Sequence, residues 1–486
     1  MRKYIIAAVC VLLCGFGTIS AQHGRDDFME FYKQRGVEFN KFKEDRAKAN
    51  AEFTEFLRQA WQEFLVKAGK TDPIGPVPDK PVYYGEQPAP SGGMHGLPSG
   101  SLAVPAPAPV YAISASYTEG RGVVDIDFFG LHKSVPFSAS MKLPRVTANE
   151  SAVSQGWASL SDSDYLTTVE ALDALRSEHS LSDWAVYTII KQMTDQVYVE
   201  EYINEKILTQ MFLLTQLGYR ARVGSAGNDL ILLLPFDGQI YRTSYISDEN
   251  NTDYYIFGYT RLNSQTPLYT FTEDYPEAVD KLNLVIDTPM KMPAELYREV
   301  SLDLWSKILG EEVTVPICLT GVSFTLDYPL MDLEAYHHSA VDSETSKAIL
   351  RAVKYRILKD DMNQAEAVSF ILNLVQKGFA YKTDYEMFGR SKPLFIEESL
   401  YYGENNCKDR VLIFSWLVRE TIGLETVMAG YQGHVACGVK FTVPVTGDKF
   451  TYKGVEYTMC DPTYIGAPVG ATMPQFRDVS PNVIEI

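Results

Sequence analysis

Near the C-terminus an apolar helical run is fenced at both ends. Asn406 precedes it as an N-cap, Asp409 sits where a capping-box partner accepts the cap's backbone N–H, and Gly423 is placed to stop it in a left-handed turn. Between them Val411, Leu412, Ser415, Val418 and Ile422 form a largely apolar stripe at helical spacing. Alternating runs follow at Val435–Phe441 and Val455–Cys460 and read as strands. A helix bounded in this way and followed by strands commits the region to a mixed, α+β fold.

Three chemically active groups sit at the edges of these elements. Cys407 falls on the first helical turn, where free N–H groups and the positive end of the helix dipole favour thiolate over thiol. The same N–H groups, aimed at a carbonyl under attack, supply half of an oxyanion hole. His434 is the only histidine after Cys407 and opens the first strand; Asp461 closes the second. Strand alternation turns His434 and Cys437 to opposite faces, as it does Cys460 and Asp461. An imidazole and a carboxylate therefore share one face, while Cys437 and Cys460 share the other, either as a disulfide or as reduced core.

The order of these groups, within Asn-Cys407-Lys-Asp409, Gly433-His434-Val and Asp461-Pro-Thr, resembles the transglutaminase-like superfamily, a branch of the papain-like cysteine fold. The resemblance covers Ser343 to Pro474. It implies Cys407 as nucleophile, His434 as base, Asp461 as the orienter of the histidine, and no cofactor or metal. Tyr381 and Tyr385, on the stretch leading to Cys407, are candidates for the second oxyanion donor. Two departures fall on the substrate side of the pocket: Asn405-Asn406 replaces the commoner Gly-Asp, and Ala436 stands where many members carry an aromatic. The implied chemistry is attack on an amide or peptide carbonyl of a protein or peptide substrate through a thioacyl intermediate. Hydrolysis by a peptidase or amidase is placed ahead of transfer to an amine. The alternative is a binding or assembly protein that keeps the fold without turnover.

The rest of the chain divides by composition. With 486 residues, 46% of them hydrophobic, it is long enough for about three domains. A formal charge of −18 with no basic patch argues against a nucleic-acid partner. Residues 1–21 read as a signal peptide cleaved after Ala21: Met1-Arg2-Lys3, then an apolar run from Tyr4 to Phe16 too short to span a membrane, then small residues. The expected location is the periplasm or cell surface of a bacterium. Residues 22–70 read as an amphipathic helix, with Phe28, Phe31, Phe39, Phe42, Phe53, Phe56, Trp61 and Phe64 forming an aromatic stripe. That stripe grips a partner or a second copy, or else packs on the protein's own body.

Residues 71–109, rich in proline, read as a linker, 110–165 as a small β module, and 271–342 as a β-rich connecting module in which Val313–Leu326 supplies a strand pair. His337 and His338 tempt a metal reading, but adjacent histidines diverge on a strand and no third ligand is spaced to join them. Residues 343–486 are the catalytic unit; its Gly378–Asn406 stretch reads as a long loop walling the cleft. Residues 166–270 repeat its spacing without its chemistry. Asp229 lies as far after Gly218 as His434 after Gly423, and Tyr202 as far before Gly218 as Cys407 before Gly423. This marks a degenerate second copy.

Overall fold

The computed structural model describes residues 23–72, 74–75, 77–85, 109–258, 262 and 266–486, with residues 23–39 described in backbone only. The expected signal peptide lies outside the described residues. The first helix, α1 (His23–Leu57), ends well before Lys70. Residues expected to continue it form instead the strand β1 (Gln62–Leu65), paired antiparallel with a distant strand at Pro267–Thr270. Phe53 and Trp61 are buried on the protein's own body, where Phe53 meets Trp157, Phe271 and Tyr275. The linker is also partly regular: β2 (Val82–Tyr83) pairs in parallel with Tyr464–Ile465 of the C-terminal region.

An antiparallel meander follows, β3 (Ile113–Thr118), β4 (Val123–Phe128) and β5 (Leu131–Pro136), with Val124, Ile126 and Phe128 pointing inward at strand spacing. The rest of the expected β module turns helical at α2 (Glu150–Ser161), capped by Asn149. The first unit then begins with α3 (Tyr165–His179), α4 (Asp183–Val197) and α5 (Ile203–Gln216). It continues with β6 (Arg222–Ala226), β7 (Asp229–Pro235), β8 (Tyr245–Ser247), β9 (Asp253–Phe257) and β10 (Pro267–Thr270). These strands lie in the order β1-β10-β6-β7-β9-β8.

The connecting module carries less sheet than the sequence suggests. Among the described residues its regular strand pair is β11 (Tyr297–Ser301) with β12 (Thr314–Cys318), around α6 (Asp303–Leu309); Asp280, Leu282 and Met331 add single bridges to the first unit. Leu319–Thr325, expected as a strand, is the helix α7, buried on nearly all sides, so its apolar run reflects depth rather than pleat. His337 and His338 lie on the helix α8 (Leu333–His338).

The second unit opens with α9 (Ser343–Lys359) and α10 (Gln364–Lys377), the latter held by the expected Asn363–Glu366 capping box. The Gly378–Asn406 stretch is not a loop. It folds into β13 (Ala380–Tyr381), α11 (Asp384–Phe388), α12 (Ile396–Tyr402) and β14 (Glu404–Asn405), with β13 and β14 paired in parallel. Next comes α13 (Cys407–Ile422), stopped by Gly423 at φ +75°. The strands β15 (Thr426–Tyr431), β16 (His434–Val439), β17 (Lys449–Tyr452), β18 (Val455–Cys460), the short β19 (Tyr464–Ile465) and β20 (Asn482–Glu485) complete the chain. Their sheet runs β17-β18-β16-β15-β20.

Alternation along β7 and β16 divides each sheet into two apolar faces. Leu230, Leu232 and Leu234 join the main core with α5, and Val435, Cys437 and Val439 join it with α13. Ile231 and Leu233 in one sheet, and Ala436 in the other, belong to separate clusters on the reverse faces. Among the described residues no helix is long and apolar enough to cross a membrane.

Candidate active site

Cys407 is the first residue of α13, and its position is set by an unusual density of buried charge. Asp409 Oδ2 accepts the Asn406 N–H (3.1 Å) and Oδ1 accepts that of Leu394 (2.9 Å). The Asn406 side chain turns away from the helix, donating to Asp384 (2.6 Å) and accepting from Lys408 (2.9 Å). Lys408 Nζ in turn reaches both oxygens of Asp384 at 2.7 Å. Arg410 ties the same turn to its neighbours through Asn405 Oδ1 and the carbonyls of Gln376 and Phe379. Burial raises the Asp409 carboxyl to about 6 and lowers Arg410 to about 10. For Lys408, burial opposes the charge, but the Asp384 carboxylate outweighs it and the ammonium is held above its ordinary range.

Opposite this helix end, β16 begins with His434. Its hairpin to β15 turns through Gln432-Gly433, with Gly433 at φ +72°. Asp461 directly follows β18, the next strand in the sheet, and its Oδ2 meets His434 Nε2 at 2.9 Å. The other carboxylate oxygen, Oδ1, accepts the N–H groups of Thr463 (2.9 Å) and Tyr464 (3.1 Å), so the carboxylate has little freedom to turn. The whole turn is gripped from below by buried Gln376. Its Nε2 donates to the carbonyls of Asp461, Tyr464 and Ala467, and its Oε1 accepts the Gly466 N–H. The imidazole lies flat against Phe476, with ring centroids 5.3 Å apart and planes 1° from parallel.

With Nε2 committed to Asp461, His434 has Nδ1 left for Cys407. Nδ1 makes no regular hydrogen bond in this closed geometry, yet the thiol is near enough to contribute both hydrogen-bonding and charge to the imidazolium. Burial works against that cation. The Asp461 charge and hydrogen bond, reinforced by Cys407, overcome burial and raise His434 to about 10. His434 and Asp461 therefore meet in a hydrogen bond, and Cys407 lies within electrostatic reach of the imidazole. They also lie sealed, at 0% exposure for Cys407, 1% for His434 and 2% for Asp461.

The two tyrosines separate. Burial first, and then the Cys407 charge, raise the Tyr381 phenol, which places Tyr381 within electrostatic reach of the sulfur; its hydroxyl donates to the Pro78 carbonyl (2.6 Å). Tyr385 does not join the site. It is 40% exposed and its hydroxyl meets Arg242 at 3.3 Å, because the turn of α11 directs it outward.

Cys437 and Cys460 are register partners across β16 and β18, both free thiols buried on the helix face, and burial raises both strongly. His337 is a neutral core histidine: burial lowers it to about 3, and Nε2 meets Ser415 Oγ at 2.9 Å. Among the described residues no group of His, Cys, Asp and Glu is arranged to hold a metal ion. A concavity on the outer face of β3–β5, lined by Asp125, Asp127, His132 and Lys133, includes none of the site residues.

Gln376, Asp384, Lys408 and Phe476 were not anticipated. Two signals were available: a glutamine among the apolar positions of α10, and a Lys-Asp-Arg run opening an otherwise apolar helix. Comparison of the chain with protein-family models, with curated proteins and with solved structures returned no match.

Proposed function

We propose that the chain is an exported, transglutaminase-like cysteine enzyme of the papain-like type that cleaves amide or peptide bonds, with hydrolysis ahead of cross-linking. The observation that carries this reading is the polarised histidine: Asp461 holds Nε2 at 2.9 Å while Cys407 interacts from the other side. The Cys407 thiolate adds to the carbonyl carbon of the substrate. N–H groups of the first turn of α13 and the Tyr381 hydroxyl face the charge that develops on the carbonyl oxygen. Collapse breaks the C–N bond, the amine leaves with the proton from His434, and a thioester remains on the sulfur. Water then gives a proton to His434 and adds to the thioester; collapse breaks the C–S bond, releasing the acid and the thiolate. A lysine amine in place of water gives transfer instead.

The test is Cys407→Ala against glutamine-containing peptides offered with a dansylated primary amine. Conversion of glutamine to glutamate, or release of a cleaved unlabelled peptide, by the native chain alone supports hydrolysis, and label in the product supports transfer. If the native chain and the variant are equally inactive while Cys407 is open to alkylation, the enzyme reading fails. Export is checked by N-terminal sequencing of the mature protein, which should begin at Gln22.

A binding or assembly role without turnover is the second reading, favoured by the complete burial of Cys407. Iodoacetamide separates the two. An enzyme requires Cys407 to react faster near neutral pH than Cys318, whose thiol burial raises to about 11.

A further inference from the structure

Between α1 and the β3–β5 meander the chain crosses from the first unit to the candidate active site. It is fastened first to the sheet of the first unit, where Lys67 pairs with Tyr245, the Arg242 N–H donates to the Lys70 carbonyl (2.9 Å), and Asp72 meets Arg242. Gly69 passes so close that a Cβ there would lie 2.5 Å from the Thr243 nitrogen. The stretch from Val77 to Gly85 then lies on the second unit. The Pro78 carbonyl accepts from Tyr381, Val82 and Tyr83 pair in parallel with Tyr464 and Ile465, and the Tyr84 N–H donates to the Ile465 carbonyl (2.9 Å). Val82 packs with Tyr464, Ala467, Met473 and Phe476, the last being the ring stacked on His434.

Two features make this stretch an occupant rather than a structural strand. Its backbone hold is a two-residue ladder, and Tyr83 and Tyr84 remain 46% and 52% exposed, whereas the thiol nearby is wholly covered. Its Pro78 carbonyl also takes the hydrogen bond of Tyr381, whose phenol senses the Cys407 charge. Short exposed ladders open far below the global unfolding free energy. We propose that the Tyr464–Ile465 edge is a strand-addition site for an extended peptide, and that Val77–Gly85 fills it as a built-in competitor. Main-chain pairing then supplies affinity, Tyr381 holds one peptide carbonyl, and the apolar seat of Val82 selects a small aliphatic side chain. The proposal rests on the cysteine-enzyme reading only for the chemistry after binding.

The test is iodoacetamide labelling of Cys407 in the full chain, read by peptide mapping with Cys318 as reference. Tyr84→Pro removes the N–H given to Ile465, and Val82→Asp places a charge among apolar side chains. Either variant should label at Cys407 about tenfold faster than the native chain or more. A free peptide spanning Val77–Gly85, added at millimolar concentration, should slow labelling again. Equal rates in native chain and variants, with native unfolding transitions, overturn the proposal. If labelling rises while amide turnover is still missing, the occupant stands and the enzyme reading falls. Should both variants unfold, hydrogen exchange of the native chain decides. The Tyr84 amide should exchange orders of magnitude faster than the amides of β16, and equal protection overturns the proposal.

Discussion

The two units share a topology and differ where chemistry is needed. Leaving aside β1, and β19, which pairs with β2 instead, the first sheet runs β10-β6-β7-β9-β8 and the second β20-β15-β16-β18-β17, the same order of five strands from each unit. In both, a helix packs on the central hairpin: α5 on β7, α13 on β16. Register gives residue equivalences independent of sequence. His434 faces Tyr431 across one hairpin and Asp229 faces Ala226 across the other, so Asp229 occupies the place of the histidine. Three residues further along each strand, Cys437 pairs with Cys460 and Leu232 with Phe257. The residue after Phe257, Gly258, therefore stands where Asp461 does.

The nucleophile's place goes to Ile203, the first residue of α5, and not to Tyr202. Counting back from Gly218 assumes helices of equal length, whereas α5 has 14 residues and α13 has 16. The same ladders carry Cys407, His434 and Asp461 in one unit and Ile203, Asp229 and Gly258 at the matching positions of the other, so the architecture does not require the three reactive groups.

The largest contrast is at the helix starts. Cys407→Ala should lower kcat/KM for amide cleavage by roughly 10⁴-fold or more, because no other group forms the acyl bond. Ile203→Val, at the equivalent helix start, should leave it within about twofold. Equal losses at the two positions would show the first unit to be catalytic as well.

Next in size is Asp461→Asn, which preserves shape and removes charge, expected to cost roughly 10²–10⁴-fold in kcat. It also has a pH signature. Because the folded state raises His434 to about 10, the imidazolium contributes stability that is fully present below its unfolded value near 6.5 and is lost as pH rises through about 10. Asp461→Asn should erase this loss, flattening the melting temperature between pH 7 and 10 and moving the alkaline limb of the rate profile downward. Asp229→Asn should alter neither.

What could be read in advance depended on whether local pattern or distant contact decides. The Asn406–Gly423 helix, the Asn363–Glu366 box and the approach of Cys407 to the His434–Asp461 pair follow from caps, spacing and alternation, all local signals. β1 was invisible because Phe64 continues the aromatic period of α1, and only pairing with β10, about two hundred residues away in sequence, makes it strand. The order within 378–406 was hidden for a different reason. Lys408–Asp384 and Lys392–Glu398 are buried ion pairs, and charged residues in a sequence read as solvated. The strap at Val77–Gly85 was hidden in turn by its prolines, which argue against ladders yet leave the N–H of Tyr84 free to pair.

Those buried charges give the third test. Asp384→Ala strands the Lys408 ammonium and releases Asn406, and should cost roughly 3–5 kcal/mol in urea unfolding together with most of the turnover. The first unit has a counterpart in Asp274, which binds Arg222 (2.7 Å) and Arg220 (2.6 Å) away from any reactive group. Asp274→Ala should destabilise by a similar amount while kcat of the remaining folded protein is unchanged. If Asp384→Ala lost stability alone, the ionic lattice would be scaffolding and not a positioner of the nucleophile.

The smallest effect bears on whether the first unit can regain a carboxylate. Gly258 adopts φ +152°, a conformation that side-chain-bearing residues rarely take, and a Cβ there would lie 3.7 Å from Ile207 and Ile231. Asp461 is not among the residues with positive φ, so the two units part company at the step after the strand even though their registers agree up to it. The contact is ordinary and the backbone is the obstacle. Gly258→Ala should therefore cost about 1 kcal/mol through backbone strain, with little packing penalty. Gly258→Asp should cost at least as much and still leave no usable partner for a histidine placed at 229. A double variant Asp229→His, Gly258→Asp whose histidine titrates near its ordinary value by NMR fits this account. A histidine raised toward the value of His434 would show that the conformation is set by the glycine and not by the fold around it.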